Sequence, residues 1–73
     1  KMAGNIHVIT SEQGGWDVKR DGAIIASANF ENKKDAIEYA EKEGKRYNVE
    51  VFIHGKDGKI QRREVFGTKL NPL

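Results

Sequence analysis

The sequence predicts an α+β domain with four or five antiparallel strands and one helix packed on one face of the sheet. Two Asp-Gly turns, at 21–22 and 57–58, lie between segments in which apolar and polar residues alternate, a pattern typical of β-hairpins. Between these hairpins, residues 33–47 repeat apolar or small residues with the period of a helix. The predicted order is therefore strand, strand, a third short strand, helix, strand, strand.

The first hairpin is predicted to pair residues 5–10 with residues 16–20 across a glycine-bearing turn. The Asp21-Gly22 pair then favours a tight type I′ turn, because that turn needs positive φ at both central positions. Residues 23–28 return as a third strand, which is rich in small residues and is expected to be the weakest of the three.

The helix is predicted to run from about Lys33 to Tyr47. Asn32 stands where a side chain accepts hydrogen bonds from the first free backbone N–H groups of a helix. On the polar side, glutamates precede lysines by four residues, which stabilises a solvent-facing helix surface. The other side repeats apolar or small residues at helical spacing, with a glycine that indicates close approach to the sheet: Ala36, Ile37, Ala40, Gly44 and Tyr47.

The second hairpin contains the strongest strand of the chain, residues 49–54, which are mostly β-branched or aromatic. Residues 59–66 return after the turn at 57–58. The sequence leaves the register of this hairpin open, because a shift of one residue moves every side chain to the other face. The residues whose face depends on this register are Phe52, Ile60 and Phe66.

The core is predicted where the helical and strand periods single out the same side. Ile37 and Ala40 lie on the apolar side of the helix, and Val51 and Ile53 lie on one side of the strongest strand. Trp16 is expected to join them, because tryptophan is highly buried on average. These five residues should therefore be shielded from solvent.

Length and composition limit the class of protein. With 73 residues there is room for one domain spanning 1–73, in which 1–4 and 68–73 are expected to be flexible ends. The absence of cysteine excludes disulfides and thiolate metal sites, and it predicts a cytoplasmic protein. No apolar run approaches the ~20 residues that cross a bilayer, so we expect no membrane association.

No group of residues in the sequence has the spacing of a catalytic site, a metal site or a phosphate-binding loop. The serine and threonine hydroxyls lack a neighbouring His-Asp arrangement, and the segment 55–59 lacks the P-loop spacing. His7 has no partner at metal-ligand spacing, and His54 is expected to be partly buried and bonded to backbone. We therefore predict a protein that is not an enzyme and that uses no cofactor and no metal.

Two segments, Gly-Trp at 15–16 and His-Gly-Lys-Asp-Gly at 54–58, are the most specific parts of a pattern that extends from about Ile6 to Gly67. This pattern resembles a family of small bacterial domains catalogued as domain-of-unknown-function family 2188. The resemblance supports the order hairpin, helix, hairpin. It implies no activity, because the family is uncharacterised.

A second resemblance concerns the layout of Trp16, Phe30 and the helix start at 33–37. This layout is similar to that of phage-integrase arm-binding and plant AP2-type domains, which lay a three-stranded sheet in the DNA major groove. The sequence departs from them because its third strand lacks the basic residues that such a sheet uses, and because a further hairpin follows the helix.

Basic residues supply an alternative function, the binding of nucleic acid. Thirteen Lys and Arg oppose eleven Asp and Glu, and the two signs interleave along the chain, whereas a nucleic-acid binder usually concentrates its positive charge on one face. Two lysines at the helix start nevertheless oppose the helix dipole, which is unexpected for a purely structural helix. The predicted phosphate-contacting residues are Lys19, Arg20, Lys33, Lys34, Arg62 and Arg63.

The function that the sequence favours is a small non-enzymatic interaction module that binds a protein partner or a second copy of itself. One helix covers only one face of a sheet, so the other face and the edge strands are open to a partner. The apolar residues expected at this interaction surface are Ile25, Phe52 and Val65.

Overall fold

Five strands and one helix make up the part of the chain that the computed structural model describes, residues 4–67. This arrangement confirms the predicted α+β class. The elements in chain order are β1 (Ile6–Thr10), β2 (Trp16–Arg20), β3 (Ala28–Phe30), α1 (Lys33–Tyr47), β4 (Glu50–His54) and β5 (Ile60–Val65).

The strands form one sheet in the order β3-β2-β1-β4-β5. Three of the four neighbouring pairs are antiparallel, as predicted, but β1 and β4 are parallel. The reason lies in α1, which leaves the sheet at β3 and returns to it at β4. A strand that follows a crossover helix runs parallel to the strand before that helix, and β3 has the same direction as β1.

The loop after β2 begins with a tight turn at Asp21-Gly22, in which the Ala23 N–H donates to the Arg20 carbonyl oxygen at 3.1 Å, but the turn is not of the predicted type I′. Gly22 has a φ of 74°, whereas Asp21 does not have a positive φ, so the pair cannot form a type I′ turn. The Asp21 side chain instead accepts a hydrogen bond from the backbone N–H of Asn5 at 3.2 Å. The third strand, expected over 23–28, is therefore shorter than predicted and begins only at Ala28.

The helix has the predicted bounds, and it ends at Asn48, which adopts a left-handed φ of 56°. Asn32 occupies the N-cap position, but its side chain accepts no capping hydrogen bond, so the predicted cap is wrong in its chemistry. Gly44 confirms the predicted close approach. A Cβ atom there would lie 2.7 Å from side-chain atoms of Val51 and Phe66.

The core lies between α1 and one face of the sheet, which we call the covered face. Trp16, Ala40, Val51 and Ile53 are buried there as predicted, but Ile37 is only partly buried. The helix packs through its smallest residues, which brings its axis close to the sheet and leaves the larger Ile37 at the flank. The buried apolar residues are Ile6, Val8, Trp16, Val18, Ala36, Ala40, Val51 and Ile53.

A β-bulge settles the register of the second hairpin. Ile53 pairs with Arg62 while His54 pairs with Ile60, so Gln61 is an extra residue on β5. The bulge places Ile60 on the face away from the helix. Phe52 lies on that face too, because it alternates with the buried Val51 and Ile53 of its own strand. Phe66, just after β5, packs against the core.

The predicted flexible ends fall almost entirely outside the described residues, which leave out 1–3 and 68–73. Within the described range, no helix combines the length and the apolar character needed to span a bilayer.

Candidate functional site

The face of the sheet away from α1, which we call the open face, has no helix over it among residues 4–67. Successive side chains of a strand point to opposite faces, so the residues between the buried ones project here. The open face comprises His7 and Ile9 of β1, Asp17 and Lys19 of β2, Asn29 of β3, Glu50, Phe52 and His54 of β4, and Ile60, Arg63 and Val65 of β5.

One row of side chains crosses the open face from β2 to β5. The strand registers place Lys19 beside His7, His7 beside Phe52, and Phe52 beside Arg63. The rings of His7 and Phe52 are stacked, with centroids 5.2 Å apart and planes at 18°. The row therefore has two aromatic rings in the middle and a cation at each end.

Two histidines form a hydrogen-bonded chain next to this row. His7 Nε2 contacts a carboxylate oxygen of Asp21, and His7 Nδ1 lies 3.0 Å from His54 Nε2. His54 Nδ1 in turn lies 3.0 Å from the carbonyl oxygen of Gly58. These contacts join the loop after β2 to the turn between β4 and β5. We call Asp21, His7, His54 and the Gly58 carbonyl the histidine chain.

Carboxylates on the open face accept hydrogen bonds from neighbouring side chains of the same face. Asp17 accepts a hydrogen bond from the Asn29 amide at 2.7 Å, and Glu50 accepts one from Arg63 at 2.8 Å. The guanidinium of Arg63 lowers the pKa of Glu50 below its ordinary value, and the carboxylate raises the pKa of Arg63. The face thus offers a polar surface in which much of the charge is already balanced.

Exposed apolar residues lie at both edges of the open face. Ile24 and Ile25, in the loop between β2 and β3, are 92% and 78% exposed. They line a shallow groove of about 600 Å³ together with Ile9 and Lys19 of the open face. At the other edge Val65 is 44% exposed. The open face therefore carries exposed apolar side chains at both of its edges.

Comparison with known proteins identifies the family of this chain. The sequence profile described as "Uncharacterized protein conserved in bacteria (DUF2188)" matches residues 6–66. The chain belongs to this family. It is also similar to the "Uncharacterized protein YdaT" of Bacillus subtilis (strain 168), with 40% identity over 57 residues.

That match covers 78% of this chain but 37% of the Bacillus protein, so the chain spans well under half the length of this relative. No solved structure matches the chain. The family confirms the resemblance seen in the sequence, and its description names no ligand, partner or reaction.

The fold of this DUF2188 domain separates the predicted interaction residues into one central and two edge positions. Phe52 lies near the middle of the open face, Val65 on its β5 side and Ile25 in the β2–β3 loop at its β3 side. All three are accessible from the same side of the sheet. The prediction missed Ile24, which is more exposed than Ile25.

The predicted phosphate-contacting residues do not share a face. Lys19 and Arg63 lie on the open face, at opposite ends of the row described above. Arg20 lies on the helix side, where its guanidinium stands 4.4 Å from the ring centroid of Tyr47 and 3.8 Å from Glu43. The charge of Arg20 therefore already has partners within the domain.

The remaining basic residues of that set also lie on the helix side. Lys33 donates to the side chain of Gln61 at 2.7 Å and stands 4.7 Å from the ring of Trp16. Lys34 is exposed at the helix start. Arg62 contacts two carboxylates, on α1 and on β5, so its charge too is balanced.

The carboxylates around Arg62 are Glu41 of α1 and Glu64 of β5. A side-chain hydrogen bond with Glu64 raises the pKa of Glu41 above its ordinary value, and burial and the negative charge of Glu64 act in the same direction. Arg62, 3.0 Å from Glu64 and 3.4 Å from Glu41, opposes this shift only in part. The cluster ties β5 to α1 at the edge of the covered face.

Sequence reasoning missed the histidine chain. His7 and His54 are far apart in sequence, and they meet only because β4 inserts parallel to β1, a pairing that no local pattern indicates. Among residues 4–67, no group of three or more His, Cys, Asp or Glu side chains has metal-binding geometry.

Proposed function

We propose that this domain is a non-enzymatic interaction module whose open face pairs with the open face of a second copy. The observation that carries the proposal is the pair of exposed apolar patches at opposite edges of that face. Ile24 and Ile25 form one patch, and Val65 lies in the other. A second copy is the one partner that brings a matching patch to each of them at the same time.

The geometry of such a dimer follows from the strand order. A two-fold axis parallel to the strands places the β3 side of one copy over the β5 side of the other. Ile24 and Ile25 then face Val65 of the second copy, and symmetry repeats the contact. His7 and Phe52, on the central strands, lie near the axis. The interface then has aromatic rings at its centre and an apolar contact at each edge.

Charge on the open face permits this pairing. Lys19 and Arg63 are offset by Asp17, Asp21 and Glu50, so two copies do not meet as like-charged surfaces. Five strands about 4.8 Å apart and about 17 Å long present roughly 400 Å² per copy. A total of about 800 Å² lies at the low end for specific complexes, so we expect a weak, reversible dimer.

Sedimentation equilibrium over about 10 µM to 1 mM protein tests the proposal. The wild-type mass should rise towards that of a dimer with concentration. Ile25→Ser and Val65→Thr should each weaken the association several-fold. Tyr47→Ser is the matched control, because Tyr47 is 40% exposed but lies on the helix side. A monomer throughout the range, or equal loss of association in all three variants, would contradict the proposal.

A second candidate, the binding of single-stranded nucleic acid, is favoured by the row across the open face. Aromatic side chains on a sheet stack on bases, and flanking cations contact phosphates. His7 and Phe52 would serve the first role, and Lys19 and Arg63 the second. The pairing of Arg63 with Glu50 and the acidic residues on the same face weigh against it.

A titration with single-stranded and duplex DNA at about 50 mM salt tests this candidate. Single-stranded binding should fall steeply with salt, and Lys19→Ala should reduce the slope by roughly one. Lys34→Ala, at the exposed helix start, is the control and should leave the slope unchanged. Absence of binding at this salt leaves the interaction module as the function of the open face.

A further inference from the structure

The histidine chain contains more hydrogen-bond contacts than two neutral histidines can serve. Both of its ends are acceptors, the ionised carboxylate of Asp21 and the carbonyl of Gly58. Each imidazole must therefore donate an N–H outwards, His7 from Nε2 and His54 from Nδ1. The contact between the rings, 3.0 Å from His7 Nδ1 to His54 Nε2, needs a third proton. Two neutral imidazoles carry only two N–H groups.

We propose that the His7–His54 pair holds one excess proton between its facing nitrogens, and that this proton braces the two loops at the ends of the histidine chain. With three N–H groups, each of the three contacts is a proper hydrogen bond. The pair then carries one positive charge, and the carboxylate of Asp21 lies in contact with it. The inference does not require two copies of the domain to pair.

A metal ion fits the same position less well than a proton. Two nitrogens bound to one tetrahedral metal at about 2.1 Å are about 3.4 Å apart. The observed separation of 3.0 Å is that of an N–H···N hydrogen bond. In addition, the described residues supply no group of three metal ligands here.

The surroundings of the pair favour one positive charge but not two. The Asp21 carboxylate touches His7, whereas Lys19 is the cross-strand neighbour of His7 and repels further positive charge. The stacked Phe52 ring is uncharged. The other charged side chains are Asp17, Glu50 and Arg63 on the same face of the sheet, and Lys56, Asp57 and Lys59 in the β4–β5 turn that follows His54.

The brace therefore exists only within a window of pH. Imidazole is the side chain that changes charge between about pH 5 and 8. When the excess proton leaves as pH rises, the facing nitrogens present lone pairs to each other unless His54 moves its N–H from Nδ1 to Nε2. That tautomer restores the contact between the rings but removes the donor to the Gly58 carbonyl, so the turn at 55–59 loses its anchor. When a second excess proton binds as pH falls, both facing nitrogens carry hydrogen and the rings separate.

Nitrogen NMR of the two imidazoles across this pH range tests the inference, at a protein concentration where copies are separate. The pair should titrate in two steps, because the contact between His7 Nδ1 and His54 Nε2 has room for one proton and a second proton binds only when the rings separate. The Gly58 amide should shift with the step at higher pH. In His7→Phe, which keeps a stacked ring but no ring nitrogen, His54 should titrate in one step.

Two further measurements test the shared proton without the His7→Phe variant. Asp21→Asn should move the loss of the excess proton to lower pH, because it removes the negative charge that favours the proton. Zinc chloride added near neutral pH should leave the ring nitrogens unshifted at equimolar metal. Independent one-step titration of both histidines, or saturable zinc binding at these nitrogens, would overturn the inference.

Discussion

The two faces of this sheet differ in burial and in the side chains that they carry. On the covered face, Ile6, Val8 and Val51 have no exposed surface, and Gly44 lets the helix approach until no Cβ would fit. On the open face, the same strands carry histidines, paired charges and a partly exposed aromatic ring. Packing on the covered face is sufficient to fix the fold. The open face is therefore free to hold polar networks and exposed apolar edges, which is where we place function.

The largest difference between the faces should appear on truncation of isoleucines from neighbouring strands. Ile53→Ala removes a side chain that is 2% exposed and should cost about 2–4 kcal/mol of unfolding free energy, because it leaves a cavity. Ile60→Ala, at a residue that is 56% exposed, should cost under about 1 kcal/mol. Urea denaturation of both variants measures this, and equal losses would remove the distinction between the faces.

Gly44→Ala probes the closeness of the helix to the covered face. Alanine favours a helix by about 1 kcal/mol over glycine. Here its Cβ would lie 2.7 Å from Val51 and Phe66, so we expect a net loss of about 1–3 kcal/mol. Lys42→Ala, on the exposed side of the same helix, should stay within about 0.5 kcal/mol. Stabilisation by Gly44→Ala would show that the helix sits farther from the sheet.

Replacing a carboxylate by its amide should change the stability at neutral pH in opposite directions on the two faces. The pKa of Glu41, at the edge of the covered face, is raised, so the stability it contributes is present below its ordinary pKa and is lost as pH rises. Glu41→Gln imitates the protonated form and should be at least as stable as wild type at about pH 7. That advantage should vanish towards about pH 4.

The open-face counterpart is Glu50, whose pKa is lowered by Arg63. Its contribution is present above its ordinary pKa and is lost as pH falls through the lowered value, so Glu50→Gln should lower the melting temperature at about pH 7. Thermal melts at the two pH values measure both variants. Changes of the same sign in the two variants at neutral pH would contradict this reading of the carboxylates.

The covered face was far easier to predict from sequence than the open face. The helix bounds and the burial of Val51 follow from local periods, and the burial of Trp16 follows from the average burial of tryptophan; these predictions were confirmed. Ile37 packs against the core but is only partly buried, which was not predicted because the helical period alone does not show that small residues face the sheet. The course of the loop after β2 was also missed, since the Asp21 side chain bonds across to Asn5, just before β1, and to His7 of β1.

The open face depends on relations between distant segments. The contact of His7 with His54 requires the parallel pairing of β1 and β4, which the crossover of α1 produces. The face of Ile60 depends on the bulge at Gln61, one residue that no turn signal specifies. Local patterns predict where the strands lie, whereas the parallel pairing and the bulge determine which side chains meet.

A dilution series of amide NMR spectra tests most directly the claim that the open face is the interaction surface. On dilution from about 1 mM to about 20 µM, the amides of β1, β4, β5 and the loop carrying Ile24 and Ile25 should shift together with one dissociation constant. The amides on the outer side of α1 should stay fixed. Concentration-dependent shifts confined to the helix, or none anywhere, would contradict the account.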